Sequence, residues 1–147
     1  MKLKEEKAIQ SFRAGLNCAQ ATVTAYSDDL NFDNELAARI SCGFGGGMGR
    51  LQETCGAVTG AFMVLGIHYC SKFTDNKDRK EATYLAVQKF ADRFNSKHGT
   101  LNCKSLMNCS LRTEEGQKLI KENNLHEKVC EKCIADAISI VDELTSA

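Results

Sequence analysis

From Thr54 to Ser71 the chain reads TCGAVTGAFMVLGIHYCS, eighteen residues without a formal charge. Apolar residues fall on nearly every side of a helix drawn through this stretch, which suits a helix running through the middle of a domain. The length touches the lower limit for a membrane span. Three glycines, two threonines, a histidine and two cysteines leave its apolar core too short for one. A buried central helix over residues 55–69 is expected, with Thr54 as its cap.

The flanking segments carry the 3.6-residue period as well. Lys2 to Gly15 reads as an amphipathic helix with Ile9, Phe12 and Leu16 at helical spacing. Asn17 is placed to cap a second helix over 18–26. Asp33 is placed to cap a third, with Leu36, Ala37 and Ile40 facing inward. Thr74 or Asp75 begins a long helix to about Lys97, with Tyr84, Val87, Ala91 and Phe94 as its buried stripe and His98-Gly99 as its end. Asn102 caps a short helix over 103–107, and Thr113 another through Asn123. Cys130, Cys133, Ile134, Ala137, Ile138, Val141 and Leu144 occupy one face of the last helix. No segment alternates at period two, no internal repeat is visible, and proline is absent. The expected fold is all-α: residues 1–147 as one domain, six to eight helices bundled around the central one.

Hydrophobic residues make up 43% and charged residues 26%, a globular balance that argues against disorder. Nineteen Lys and Arg against nineteen Asp and Glu give no net charge. No basic field is available for nucleic acid or for an anionic membrane. The opening MKLKEEKAIQ has no apolar stretch of the signal-peptide kind, so a cytoplasmic protein without membrane insertion is expected. Cytosolic thiols are normally reduced, so the eight cysteines point to metal binding, redox chemistry or burial rather than to structural disulfides.

Four of those cysteines follow a pattern. Cys18, Cys55 and Cys103 each come directly after a capping residue, and Cys130 opens the last helix. Free N–H groups and the positive end of the helix dipole stabilise a thiolate in a first turn. The thiolate is both the nucleophile and the metal ligand. The plainer alternative is that cysteine packs well at helix ends as a small hydrophobe. Cys130-Glu131-Lys132-Cys133 is a C-x-x-C pair, but it lacks the βαβ setting of a thioredoxin-like protein. Ile134 rather than His follows it, which excludes covalent c-type haem. A core role and a chemical role both suit Cys133. Cys103 and Cys109 are too loosely spaced for a standard zinc module, and Cys42 and Cys70 stand alone at helix ends.

The run Gly43-Phe44-Gly45-Gly46-Gly47-Met48-Gly49-Arg50 matches neither a P-loop nor G-x-G-x-x-G. Gly45, Gly46, Gly47 and Gly49 would let the backbone approach a ligand and offer N–H groups to an anion, with Arg50 the nearest charge, although Arg50 itself reads first as a solvated loop residue. A tight helix crossing is the alternative. Gly56 and Gly60 form a small-xxx-small pair with the same two readings, a cofactor pressed on the helix or a closely packed neighbour. His68 reads as a core residue or a metal ligand, while His98 and His126 read as exposed. No Ser/His/Asp arrangement or H-E-x-x-H supports a hydrolase.

Asn17-Cys18-Ala19-Gln20-Ala21, the glycine run and Cys55-Gly56-Ala57-Val58-Thr59-Gly60 together resemble the small C_GCAxxG_C_C family of redox-active proteins. The resemblance extends over nearly the whole chain. It implies a redox class and four defining cysteines, which carry over to Cys18, Cys55, Cys103 and Cys130. Those are also the four that the helix-start argument selects. The expected function is thiol redox or electron-transfer chemistry, in the manner of a thiol oxidoreductase. Cys18 and Cys55 are the expected attacking and resolving pair, and Cys103 and Cys130 complete the site. The partner would be another redox protein or a small molecule. A second expectation is zinc or an iron–sulfur cluster on the same four cysteines. A third is an anion-binding module, cofactor-free, with inert thiols. The four sulfurs are expected to converge on one pocket walled by the glycine run.

Overall fold

A computed structural model describes residues 2–146. Among these residues the chain forms eight helices and no strands. They are α1 (Lys2–Arg13), α2 (Cys18–Thr24), α3 (Asn34–Ser41), α4 (Gly56–Cys70), α5 (Asn76–His98), α6 (Cys103–Met107), α7 (Glu114–Glu122) and α8 (Glu131–Thr145). The capping chemistry explains four of the starts. The side chains of Asn17, Asp33, Asn102 and Thr113 accept N–H bonds from Gln20, Leu36, Ser105 and Gly116. Gln20 returns its own bond to Asn17 N–H, closing a capping box. Gly99, at φ +78°, ends α5 in the left-handed conformation.

Helix α4 is the centre. Val58, Ala61, Val64 and Leu65 are buried against Phe90 and Phe94 of α5 and against Ile134, Ala137, Ile138 and Val141 of α8. Phe90 meets Phe62 edge-on at 5.7 Å and stacks on Phe94 at 5.8 Å. The side-chain-free edge of α4 faces α2. A Cβ at Gly60 would lie 2.9 Å from Ala19 O, and one at Gly56 would overlap Cys18 Sγ. The two glycines are the contact that lets α2 lie on α4, which is the close packing expected of this pair. A smaller second core joins Cys103, Met107, Leu111 and Ile120.

Several sequence expectations need correction. Leu36 and Ile40 are more than half exposed; only Ala37 and Ser41 of α3 are buried, because among the described residues no helix covers the far side of α3. Tyr84 is exposed, and the buried stripe of α5 is Ala86, Phe90 and Phe94. Thr54 does not cap α4. It forms an isolated antiparallel bridge with Asn102, and Cys55 is itself the N-cap. Cys130 does not open a helix. It ends a π-helical turn, His126–Cys130, which runs straight into α8. His98 is half-buried, stacked on Phe94 at 4.4 Å and paired with Asp136 at 2.8 Å. His126 is exposed, as expected.

The glycine run folds into an unusual turn. Gly46, Gly47, Met48, Gly49 and Arg50 all have φ between +59° and +70°. Five consecutive left-handed residues are tolerable only because three lack a Cβ. The turn is pinned by Gln52 N–H to Gly46 O (3.1 Å) and Glu53 N–H to Gly47 O (2.9 Å). It delivers the chain directly to the start of α4.

Candidate functional site

The local bonding around Thr54 fixes two cysteines side by side. Cys55 N–H donates to Leu101 O (2.8 Å), and Cys103 N–H donates to Glu53 O (2.6 Å). The two rungs flank the Thr54–Asn102 bridge, so α4 and α6 start next to each other. Gly47 makes this possible: a Cβ there would sit 2.6 Å from Cys103 Cβ and 2.7 Å from Gln52 Cα. Cys18 arrives from the capped start of α2 and fills the space left open by Gly56. Cys130 and Cys133 arrive from the π-turn and the first turn of α8. The Cys130 thiol donates to Met107 Sδ at 3.5 Å.

These five sulfur-bearing residues line one cavity of about 830 Å³. Its rim includes the end of α1 at Phe12 and Arg13, the glycine turn at Gly45, Gly46 and Gly49, Arg50, and His126 of the π-turn. All four cysteines singled out in the sequence are therefore brought together, as are Gly45, Gly46, Gly49 and Gly56. Gly47 is not on the wall, because it is pressed against Cys103 and the Gln52–Glu53 backbone instead. Cys42 lies exposed at the edge of the cavity, whereas Cys70 and Cys109 are outside it. Cys133 lines the cavity too. Its sequence signals were the C-x-x-C spacing and its place on the apolar face of the last helix.

The thiols are far from equivalent. Cys55 and Cys103 are each 8% exposed and Cys133 only 1%. The Cys55 thiol is pushed below the ordinary thiol range. The neighbouring Cys133 thiol is the main cause, and the Ala57 and Val58 amides at the start of α4 add to it against the opposing effect of burial. Cys55 makes no side-chain N-cap bond of ordinary geometry, so these amides act chiefly as nearby dipoles. Every other thiol of the cluster is pushed up. Burial raises Cys18 to about 11, helped by the charge on Cys55 and opposed by the Gly46 and Ala19 amides. Burial raises Cys103 to about 12, again with Cys55 and Cys18 contributing and with a Gln52 side-chain hydrogen bond opposing. Cys130 rises through burial and neighbouring thiolates, and Cys133 rises because it stands beside the Cys55 thiolate and is buried. The expectation of a low pKa at all four helix starts thus holds for Cys55 alone. One buried thiolate makes a second one beside it costly.

Met48 and Arg50 keep their left-handed backbone without glycine's freedom, and Arg50 lies across Gly46, its Cγ within 3.0 Å of where a Cβ would stand. Gly46 N–H in turn faces the Cys18 sulfur. Zinc or an iron–sulfur cluster needs several sulfurs at about 2.3 Å from one point. Among the described residues no group of three or more His, Cys, Asp or Glu side chains is gathered in that way. The donor set as arranged does not fit such a centre.

The family model described as "Putative redox-active protein (C_GCAxxG_C_C)" matches residues 16–144. The chain belongs to this family. The C_GCAxxG_C_C glycines have a visible purpose here: Gly56 and Gly60 admit Cys18 and α2 to the face of α4. No curated protein and no solved structure matches the chain. Among the described residues no helix is long and apolar enough to cross a membrane.

Proposed function

We propose that this member of the redox-active family is a dithiol–disulfide exchange protein whose attacking group is the Cys55 thiolate. The observation that carries the reading is the convergence of Cys55 and Cys133 with Cys18, Cys103 and Cys130 on the wall of one cavity, where the neighbouring Cys133 thiol favours the thiolate of Cys55. It supplies a low-pKa nucleophile and a neighbouring thiol in one place.

The reaction balances without a cofactor. The Cys55 sulfur attacks one sulfur of a disulfide, a Cys55 mixed disulfide forms, and the other half leaves as a thiolate with the bonding electron pair. The Cys133 proton passes to that leaving thiolate. The Cys133 sulfur then attacks Cys55, closing a Cys55–Cys133 disulfide and releasing the second half as a thiolate. The protein loses two electrons and the substrate disulfide gains them. Cys18, the partner expected from sequence, is adjacent and can take the same resolving role. Cys103 and Cys130 keep their protons and keep the cavity floor neutral apart from Cys55.

The test is disulfide mapping after titration of the reduced protein with one equivalent of a disulfide. The first bridge formed should contain Cys55, with Cys133 as its partner. Cys55→Ser should abolish exchange while Cys70→Ser leaves it intact. Exchange that persists in Cys55→Ser overturns the assignment.

A further inference from the structure

The cavity also bears on what the thiolate can meet, provided that Cys55 is the attacking group. Disulfide exchange needs the attacking sulfur in line with the S–S bond, with room for the leaving half behind it. Cys55 is 8% exposed and Cys133 1% exposed, both on the wall of the 830 Å³ cavity. A disulfide between two segments of a folded protein would have to bring two backbones past the rim. A cavity of this volume falls in the range that encloses small-molecule ligands.

The rim charges narrow the class further. Arg13 is engaged by Glu131 through two bonds, Nε to Oε2 at 2.9 Å and a terminal nitrogen to Oε1 at 2.8 Å. Glu127 accepts a short hydrogen bond from Asn124 at 2.5 Å. Arg50 also lines the cavity, and among the described residues it has no ion-pair partner. Its Cβ and Cγ lie against Gly46, whose N–H faces Cys18, so Arg50 joins the cavity lining at the glycine turn with its exposed side chain free to meet an anionic group at the entrance. We propose that the substrate is a low-molecular-weight disulfide bearing a carboxylate, bound with that anionic group toward Arg50.

The experiment compares three disulfides with the reduced full-length protein: glutathione disulfide, which carries carboxylates; cystamine, which is cationic; and insulin, whose disulfides are held by a polypeptide. Second-order rates of Cys55 oxidation are read at low and high salt. Glutathione disulfide should react fastest and insulin slowest. Arg50→Gln should slow glutathione disulfide about five-fold at low salt, leave cystamine unslowed, and remove most of the salt dependence. Insulin reacting as fast as glutathione disulfide, or an Arg50→Gln variant with an unchanged ratio of the two small substrates, overturns this inference and leaves the exchange reading standing. Failure of all three to oxidise Cys55 overturns both.

Discussion

Cys55 and Cys133 stand on the wall of one cavity as coupled neighbours, and the two sulfurs hold their protons with opposite strength. Neither effect is available to one thiol alone. The Cys133 thiol favours the Cys55 thiolate, and that thiolate holds the proton on Cys133. Both sulfurs belong to one coupled cluster, so the first ionisation is largely that of Cys55, and later ones are delayed by its charge.

Alkylation by iodoacetamide, followed peptide by peptide against pH, reads this directly. Cys55 should reach half-maximal rate below the ordinary thiol value of 9.0. Cys18 should do so only near pH 11, even though it is the more exposed of the two. Cys133→Ala removes the neighbouring thiol and should move the Cys55 profile upward, whereas Cys133→Ser keeps an O–H group there and should restore part of the shift. Identical profiles for Cys55 in all three proteins would show that the amides of α4, and not Cys133, set its acidity.

The raised thiols make stability depend on alkali. A group whose pKa is higher folded than unfolded stabilises the fold fully below its unfolded value, and the benefit is lost as pH rises through the folded value. For Cys18 that window runs from 9.0 to about 11, and for Cys103 from 9.0 to about 12. Cys55 has the opposite sign: its contribution is present above 9.0 and fades as pH falls through its lowered value. Urea unfolding should therefore show a midpoint that declines from pH 9 upward, and a Cys18→Ser, Cys103→Ser double variant should decline less. A midpoint flat to pH 11 in the wild-type protein contradicts the shifts.

At the other end of the bundle, Tyr26 supports a buried carboxylate. Its hydroxyl donates to Asp142 Oδ1 at 2.8 Å, where Lys4 also contacts the same oxygen at 3.3 Å. Asp142 Oδ2 has no partner among the described residues. Tyr26→Phe removes the one neutral donor and should cost about 1.5–3 kcal/mol, the usual loss for a hydrogen bond to a charged group. Thermal unfolding checks it, with thiol exchange unchanged because Tyr26 is not part of the cavity.

Much of this architecture was legible locally, and the exceptions share a cause. Asn17, Asp33, Asn102 and Thr113 announce their helices because a cap acts within three residues of itself. Thr54 has the same chemistry but is engaged by Asn102, forty-eight positions away, and nothing in its neighbourhood encodes that. Leu36 and Ile40 have the spacing of a buried face, yet burial needs a partner helix that the topology does not provide. Cys18, Cys55, Cys103 and Cys130 stood out by position. Their pKa order did not, since burial and mutual charge depend on the whole assembly rather than on each helix start. The partnership of Cys133 with Cys55 is a contact between α8 and the start of α4, invisible to any single-helix pattern.

Two glycines of α4 separate propensity from packing. Both Gly60 and Gly66 lie inside the helix, where alanine is intrinsically better by up to about 1 kcal/mol. At Gly66 a Cβ would meet only Thr83 Cγ2 at 4.0 Å, ordinary contact, so Gly66→Ala should stabilise by that amount. At Gly60 it would meet Ala19 O at 2.9 Å, Thr22 Cβ at 3.0 Å and Ala19 Cα at 3.3 Å. Two of those three atoms belong to the α2 backbone, so rotamer changes cannot relieve the crowding and α2 must move outward. Overpacking of this kind costs about 1–3 kcal/mol and should outweigh the gain in propensity. The displacement has a second consequence, because α2 carries Cys18 at its first position against Gly56. Gly60→Ala should therefore lower the unfolding temperature and also raise the alkylation rate of Cys18, while Gly66→Ala raises the unfolding temperature and leaves Cys18 unchanged. Equal stabilisation by the two alanines would mean that α2 does not rest on Gly60.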